Sequence, residues 1–255
     1  MQESFPILQF DADSQAIIDP RESKELAKNM PERAVFCFFY DVIQKLAETG
    51  SLERIGHLIS EIGPMPVYKM IYKDTQIAVI QPGVGAPLAA GCMEEMIANG
   101  AKKIVAVGGC GVLHPGTDVG HAFIIQSAVR DEGTSYHYLP AGEDVYASEE
   151  VINALQITLN HHQVPHRVVK SWTTDALFRE TVKRRDLRIA QGCDVVEMEA
   201  SAFFAVAKHR NVVFGQLVYG GDLVVPEGWD YRDWNDRKDD RLNMFHLAIE
   251  ACSRL

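Results

Sequence analysis

The chain has 255 residues, 47% hydrophobic and 24% charged, which is enough for one large core and ordinary for a globular protein. A net charge of −10 without any basic block excludes nonspecific nucleic-acid binding, although it allows a small anion in a local pocket. No apolar run approaches the ~18 residues that cross a bilayer, and residues 1–15 lack a basic segment followed by an apolar one, so a cytoplasmic protein without a membrane partner is expected.

In chain order, residues 1–30 are polar and irregular and read as an N-terminal arm. Residues 31–255 then alternate strand and helix. The spacing predicts strands at 34–38, 77–81, 103–107, 123–129, 167–171 and 212–218. Several are β-branched and apolar on both faces, as in strands covered on both sides. Helices are predicted at 40–48, 88–99, 148–161, 198–208 and 241–253, with Asn99-Gly100 ending the second. Such alternation implies a mostly parallel or mixed sheet with right-handed crossovers in a single α/β domain.

Cys37, Cys92, Cys110, Cys193 and Cys252 are odd in number, scattered and without a CxxC pair, so neither a disulfide framework nor a cysteine zinc site is expected. His161, His162 and His166 fall where a helix gives way to a strand. Cations there complement the helix dipole, and adjacent histidines diverge on a helix, so no metal is expected.

Two glycine-rich turns follow apolar strands: Gln81-Pro82-Gly83-Val84-Gly85-Ala86-Pro87 and Val107-Gly108-Gly109-Cys110-Gly111. In open α/β sheets ligands sit beyond the carboxyl ends of strands, and glycine lets backbone amides approach an anion or a sugar. Either turn alone reads equally well as a tight turn without a ligand. GxGxxG is absent because position 88 is Leu.

The segment Val195-Val196-Glu197-Met198-Glu199-Ala200 sets two carboxylates about a methionine, where a β-branched strand meets an Ala-rich helical run. Glu199 falls in or beside the first helical turn, where the positive end of the dipole favours an ionised carboxylate. Such a group can grip two neighbouring sugar hydroxyls, and Met198 offers an adaptable apolar surface to a ring face. The plain alternative is a helix start with acidic dipole compensation.

Taken in order, Gly83-Val84-Gly85-Ala86-Pro87, Glu94-Glu95, Gly100-Ala101, Val107-Gly108-Gly109-Cys110-Gly111 and Val196-Glu197-Met198-Glu199-Ala200 resemble the nucleoside phosphorylase/nucleosidase superfamily, and its uridine phosphorylase-like members most. The resemblance covers roughly residues 65 to 225. It implies one α/β domain around a mixed, partly barrel-like sheet flanked by helices. It also implies cleavage of the bond between a base and C1′ of ribose, in a dimer or trimer of dimers.

By the same resemblance, Glu197, Met198 and Glu199 bind ribose, and Thr174, Asp175 and Phe178 belong to the base site, with Thr173 in the same stretch. Asp222 takes the place of an aspartate that protonates the leaving base, although Gly220-Gly221-Asp222 is also good turn chemistry. Gly83, Gly85, Gly108 and Gly109 border the nucleophile, with Lys69 where a neighbouring subunit offers an arginine. Inorganic phosphate would be the co-substrate, with no cofactor and a nucleoside as the ligand.

The anion site departs from the family pattern. Ala106 and Gly109 stand where phosphorylases usually carry Arg and Thr or Ser, and Phe38-Phe39-Tyr40-Asp41 replaces a Gly-Asp-Pro loop. Gln9 lies near the position of a histidine that reaches a neighbour's ribose. Lysine binds phosphate as a point charge without the guanidinium fork, so Lys69, backbone amides and Arg130 are left to hold it. Phosphorolysis therefore stands beside two alternatives: hydrolysis by water at the same ribose site, and a nucleoside-binding protein without catalysis. Gly228-Trp229-Asp230-Tyr231-Arg232-Asp233-Trp234 reads either as an aromatic anchor or as a lid in which Trp229 or Arg232 covers the base, and Trp172 is a further candidate near it.

Overall fold

A computed structural model describes residues 5–13, 15–22 and 30–255. Within the proposed arm, 3-10 turns form at Pro6–Leu8 and Pro20–Glu22, and the rest of residues 1–30 lies partly outside the described residues. Gln9 follows the first of these turns.

Eleven strands form one mixed sheet: β1 Arg33–Cys37, β2 Glu53–Ser60, β3 Gly63–Tyr72, β4 Thr75–Ile80, β5 Lys103–Val112, β6 Ala122–Asp131, β7 Asp144–Tyr146, β8 His166–Thr174, β9 Cys193–Glu197, β10 Val213–Val225 and β11 Gly228–Asp230. The helices are α1 Tyr40–Glu48, α2 Ala86–Ala98, α3 Glu149–His161, α4 Val182–Ala190, α5 Ala200–Arg210 and α6 Lys238–Ser253. Pairings β10–β6, β6–β8, β8–β9, β9–β5 and β5–β10 close a ring, and β1, β4, β3 and β2 continue outward from β5. A partly barrel-like mixed sheet in one α/β domain is therefore what the chain forms.

Residue alternation explains how the sheet is covered on both faces. In β5, Ile104 and Ala106 join the core beneath α2 and α5, while Val105 and Val107 join the core beneath α1, α3 and α6. All four are 0% exposed, so the strand must be apolar on both sides. Asn99 caps α2 and Gly100 leaves it at φ +118°, the stop expected from the sequence.

Three expectations change. The second glycine-rich segment is not a turn: β5 runs through it, paired in parallel with β10 at Val218↔Gly108, Tyr219↔Gly109 and Gly220↔Cys110. None of Gly108, Gly109 and Gly111 has a positive φ. Their use is steric: a Cβ at Gly108 would lie 3.0 Å from the Phe38 ring, and one at Gly111 would lie 2.9 Å from Val196. The helix expected from 198 begins at Ala200, because Glu197 caps it from β9. The β2–β3 hairpin, β7, β11 and α4 escape the periodicity. In α4, of sequence VKRRDLRIA, the sole buried residue is Arg185.

Candidate active site

Strand β9 delivers the acidic segment. Glu197, its last residue, is buried and accepts four hydrogen bonds: Ser171 Oγ at 2.8 Å and Thr173 Oγ1 at 2.6 Å on one oxygen, and the amides of Glu199 at 2.8 Å and Ala200 at 2.6 Å on the other. Two of these are orphan amides at the start of α5, where a negative charge also meets the helix dipole. Both oxygens already accept two hydrogen bonds each, so Glu197 positions the segment. Behind it, Thr173 Oγ1 also accepts the Ser201 amide at 3.0 Å, and Ser201 Oγ donates to Glu132 at 2.9 Å. The alternating polar residues Ser171 and Thr173, fully buried on β8, were the sequence sign of this network.

Met198 is half-buried at the bend, and Glu199 follows with 6% of its surface exposed. Glu199 holds the N-cap position of α5 but its side chain makes no capping bond; its Oε1 accepts the Gly85 amide at 2.6 Å, tying α5 to the first glycine-rich turn 114 residues away. Burial, then the charge of Glu197, pushes the Glu199 carboxyl up to about 8. Burial pushes Glu197 up as well, but four donors favour its charged form, so the proton of the pair resides on Glu199. The helix start expected to favour an ionised Glu199 is instead occupied by the Glu197 carboxylate.

Gly83 and Gly85 have φ of +80° and +94°, a region that L side chains avoid. A Cβ at Gly83 would also lie 2.3 Å from Leu88 Cδ2. The turn opens α2, whose first-turn amides lack helical acceptors, and Val84 between the glycines is 67% exposed. Gly109 is exposed on β5 opposite Tyr219, and Cys110 is buried with its thiol donating to the Tyr219 carbonyl at 3.4 Å.

Asp222, the expected base-site acid, is carried by β10. Asp222 lies beside β5, its Oδ2 3.5 Å from where a Gly111 Cβ would stand, and accepts the Trp229 indole N–H at 2.6 Å. Trp229 comes from β11, which folds back on β10 at Val224↔Trp229, and is 65% exposed. Arg232 is a buckle and does not reach for a base: its nitrogens donate to the carbonyls of Gly221 at 2.9 Å, Thr117 at 2.7 Å and Asp222 at 3.2 Å. Trp234 anchors, with its carbonyl receiving the Tyr219 hydroxyl at 2.8 Å. Trp172 is 0% exposed and donates to Asp131, so it is a core residue.

The other expected residues divide. Thr174 is buried with its hydroxyl accepting the Ala176 amide at 3.2 Å, and Asp175 accepts the Gly133 amide at 2.8 Å. Both fix the turn leaving β8. Phe178 is 92% exposed, so the chain does not pack it over the site. Lys69 pairs with Glu53 at 2.9 Å across the β2–β3 hairpin. Arg130 is withdrawn from the anion site: it bonds Ser135 Oγ at 2.8 Å and the carbonyls of Pro140 at 2.6 Å and Leu139 at 3.1 Å. His161 and His162 do not diverge, because the helix ends between them; their rings lie 5.0 Å apart, with Glu250 near both. Glu250 already serves Tyr72 at 2.9 Å, His162 at 2.9 Å and Arg254 at 2.6 Å.

The buried Glu199 carboxyl beside Met198 and the positive-φ turn that opens α2 are thus joined by one hydrogen bond. Residues 32–252 match the family model of the phosphorylase superfamily, and the chain belongs to that family. It is 30% identical over 190 residues to a purine nucleoside phosphorylase of Plasmodium vivax, covering 72% of this chain and 76% of that one. It is also 34% identical over 107 residues to a uridine phosphorylase of Thermococcus kodakarensis, covering 42% and 39%. The fold matches the crystal structure of purine nucleoside phosphorylase from Toxoplasma gondii in complex with immucillin-H at a TM-score of 0.77 and 19% identity, covering 89% of this chain and 92% of that one. Membership makes this chain an enzyme of the nucleoside phosphorylase class.

Proposed function

We propose that this enzyme cleaves the N-glycosidic bond of a nucleoside by phosphorolysis, releasing the free base and ribose 1-phosphate. The observation that carries the reading is the Glu199–Gly85 hydrogen bond, which locks the sugar-binding carboxyl to the glycine turn from which a nucleophile approaches. Departure of the base leaves an oxocarbenium-like sugar, so the site must hold ribose, protonate the base and aim a nucleophile at C1′. Met198 and Glu199 hold the ribose; the exchange of the Gly85 amide for ribose hydroxyls lowers the cost of ionising Glu199. Asp222 acts at the base end. The turn at Gly83–Gly85 and the exposed edge at Gly109 border phosphate, with Lys69 delivered from a second copy in a dimer or larger assembly.

Hydrolysis is a second reading with specific support. Ala106 is 0% exposed, Lys69 is paired with Glu53, Arg130 is spent on carbonyls and the Gly85 amide is taken by Glu199. These commitments weaken a phosphate site within one chain and leave water a competent nucleophile. Base release measured with and without inorganic phosphate decides between them. Strict phosphate dependence with ribose 1-phosphate as product supports phosphorolysis, whereas phosphate-independent release of ribose establishes the hydrolase.

A further inference from the structure

The helical layer opposite α2 and α5 holds a cluster that glycosidic cleavage does not use. Helix α3 ends at His161, and His162 follows as its cap at φ −87° and ψ 4°. Gln163 then takes a left-handed φ of +55°, and the Val164 amide closes back on the Leu159 carbonyl at 2.9 Å. This tight stop turns both imidazoles to one side, with ring centres 5.0 Å apart and planes at 80°. His166 does not join them; its Nδ1 lies 2.9 Å from the Val164 carbonyl. Glu250, near the end of α6, completes the group, and the ligand atoms of all three residues lie within 4.8 Å of one another.

The Glu250 carboxylate is already fixed in place. It is 6% exposed, and donors from two directions hold it. Arg254 Nη2 donates to Oε1 at 2.6 Å, and its Nε donates to the buried Thr158 hydroxyl of α3 at 3.0 Å. Tyr72, the last residue of β3, donates to Oε2 at 2.9 Å. A carboxylate oxygen accepts about two hydrogen bonds, so Oε2 keeps one acceptor site, and His162 Nε2 lies there at 2.9 Å. Carboxylates that ligate metals are held by outer donors of this kind. The C-terminal turns of α3 and α6 also meet here, and the negative ends of two helix dipoles favour a cation between them.

We propose that His161, His162 and Glu250 bind one divalent transition-metal ion of the copper, nickel and zinc group, with water completing its shell. Two imidazoles and one carboxylate are donors that these ions accept, whereas Mg²⁺ and Ca²⁺ call for oxygen ligands. Ligands about 2.0–2.1 Å from an ion and at right angles stand about 2.9 Å apart, and a tetrahedral edge is about 3.4 Å. The His162–Glu250 separation of 2.9 Å matches the right angle, so square or octahedral coordination fits and Cu²⁺ and Ni²⁺ are favoured over Zn²⁺. Coordination needs a bare Nε2, so the proton between Nε2 and Oε2 moves to Nδ1 or leaves to solvent. His161 is exposed and closes the remaining distance by rotation of its side chain. The ion would staple α3 to α6 at the end of the sheet away from the glycine turn. Cys252, two residues beyond Glu250, lies 3.5 Å from the Ala34 carbonyl near the start of β1, whereas Gly85 follows the far end of β4, which runs parallel to β1.

The test uses tag-free full-length protein stripped with a chelator. Calorimetric titration should show one Cu²⁺, Ni²⁺ or Zn²⁺ bound per chain, Cu²⁺ most tightly, and no binding of Mg²⁺. Losing even an outer-shell partner costs about 10–100-fold in metal affinity, so His161→Ala and His162→Ala should each weaken Cu²⁺ by at least about tenfold. Both side chains are exposed, so the variants should fold, and His166→Ala should bind Cu²⁺ as the wild type does. Electron paramagnetic resonance of the Cu²⁺ protein should report two nitrogen ligands, and one in either single variant. Zn²⁺ at about a hundredfold excess over its Kd should raise the unfolding midpoint by about 5 °C or more, and His162→Ala should lose that shift. Nucleoside turnover enters none of these readouts, so they hold whichever nucleophile the active site uses. Absence of a bound ion in the titrations, or Cu²⁺ binding undiminished by both histidine substitutions, would overturn the proposal.

Discussion

Replacing Glu199 by Gln should make the protein more stable and the enzyme slower, and the stability gain should depend on pH. Glutamine keeps an Oε1 to accept the Gly85 amide and removes a buried ionisable group. The folded-state pKa of Glu199 is raised from 4.5 to about 8. A raised carboxyl adds stability that is full below its unfolded pKa and is lost as pH climbs to the folded value. Below about pH 4.5 the two proteins should therefore differ little, and the gap should open between 4.5 and about 8 and stay level above it. At about 1.4 kcal/mol per pH unit the ceiling is near 5 kcal/mol, and sharing of charge with Glu197 makes about 2–3 kcal/mol the expected gain at pH 8. Urea unfolding of both proteins at pH 4.5, 6, 7, 8 and 9 measures it, and groups common to both cancel in the difference. Turnover should fall at least about tenfold, since charge-assisted hydrogen bonds contribute roughly 1.5–3 kcal/mol. A gap independent of pH, or a variant less stable at pH 8, would refute the assignment of the proton to Glu199.

Ala106→Arg, the change that would restore the family's arginine, should destabilise by several kcal/mol in urea unfolding, because position 106 is 0% exposed between β1 and β10. Gly109→Ser should fold normally, since its φ is not positive and an added Cβ meets the Tyr219 ring at an ordinary 3.5 Å, and it should strengthen phosphate dependence if phosphate is the nucleophile. Nucleoside binding should alter tryptophan fluorescence by displacing the Trp229 indole from Asp222, and Trp229→Phe should abolish most of the change, whereas Trp172, buried in the core, should not report. Sedimentation should show a dimer or larger; a monomer at working concentration would exclude Lys69 from a neighbour's site.

The sequence by itself determined the class of fold and the outline of the site. Strands apolar on both faces, such as β1 and β5, have only one way to bury their side chains, between helical layers, and α1 falls where the helical pattern places it. Gly83 and Gly85 were legible because a positive φ leaves little choice of residue. Local patterns could not reveal which carboxylate does what. Glu197 and Glu199 look equivalent in the sequence, yet only β8, brought alongside β9, supplies the Ser171 and Thr173 hydroxyls that saturate Glu197. Nor could spacing show that Gly108 and Gly109 continue a strand, that Ala106 is enclosed, or that Arg185 bonds α4 to β10. Those outcomes depend on closure of the ring through β5 and β10 and on contacts between segments far apart in the chain. Periodicity records the environment of a residue's own turn or strand, whereas a buried charge is governed by the donors that other strands bring to it.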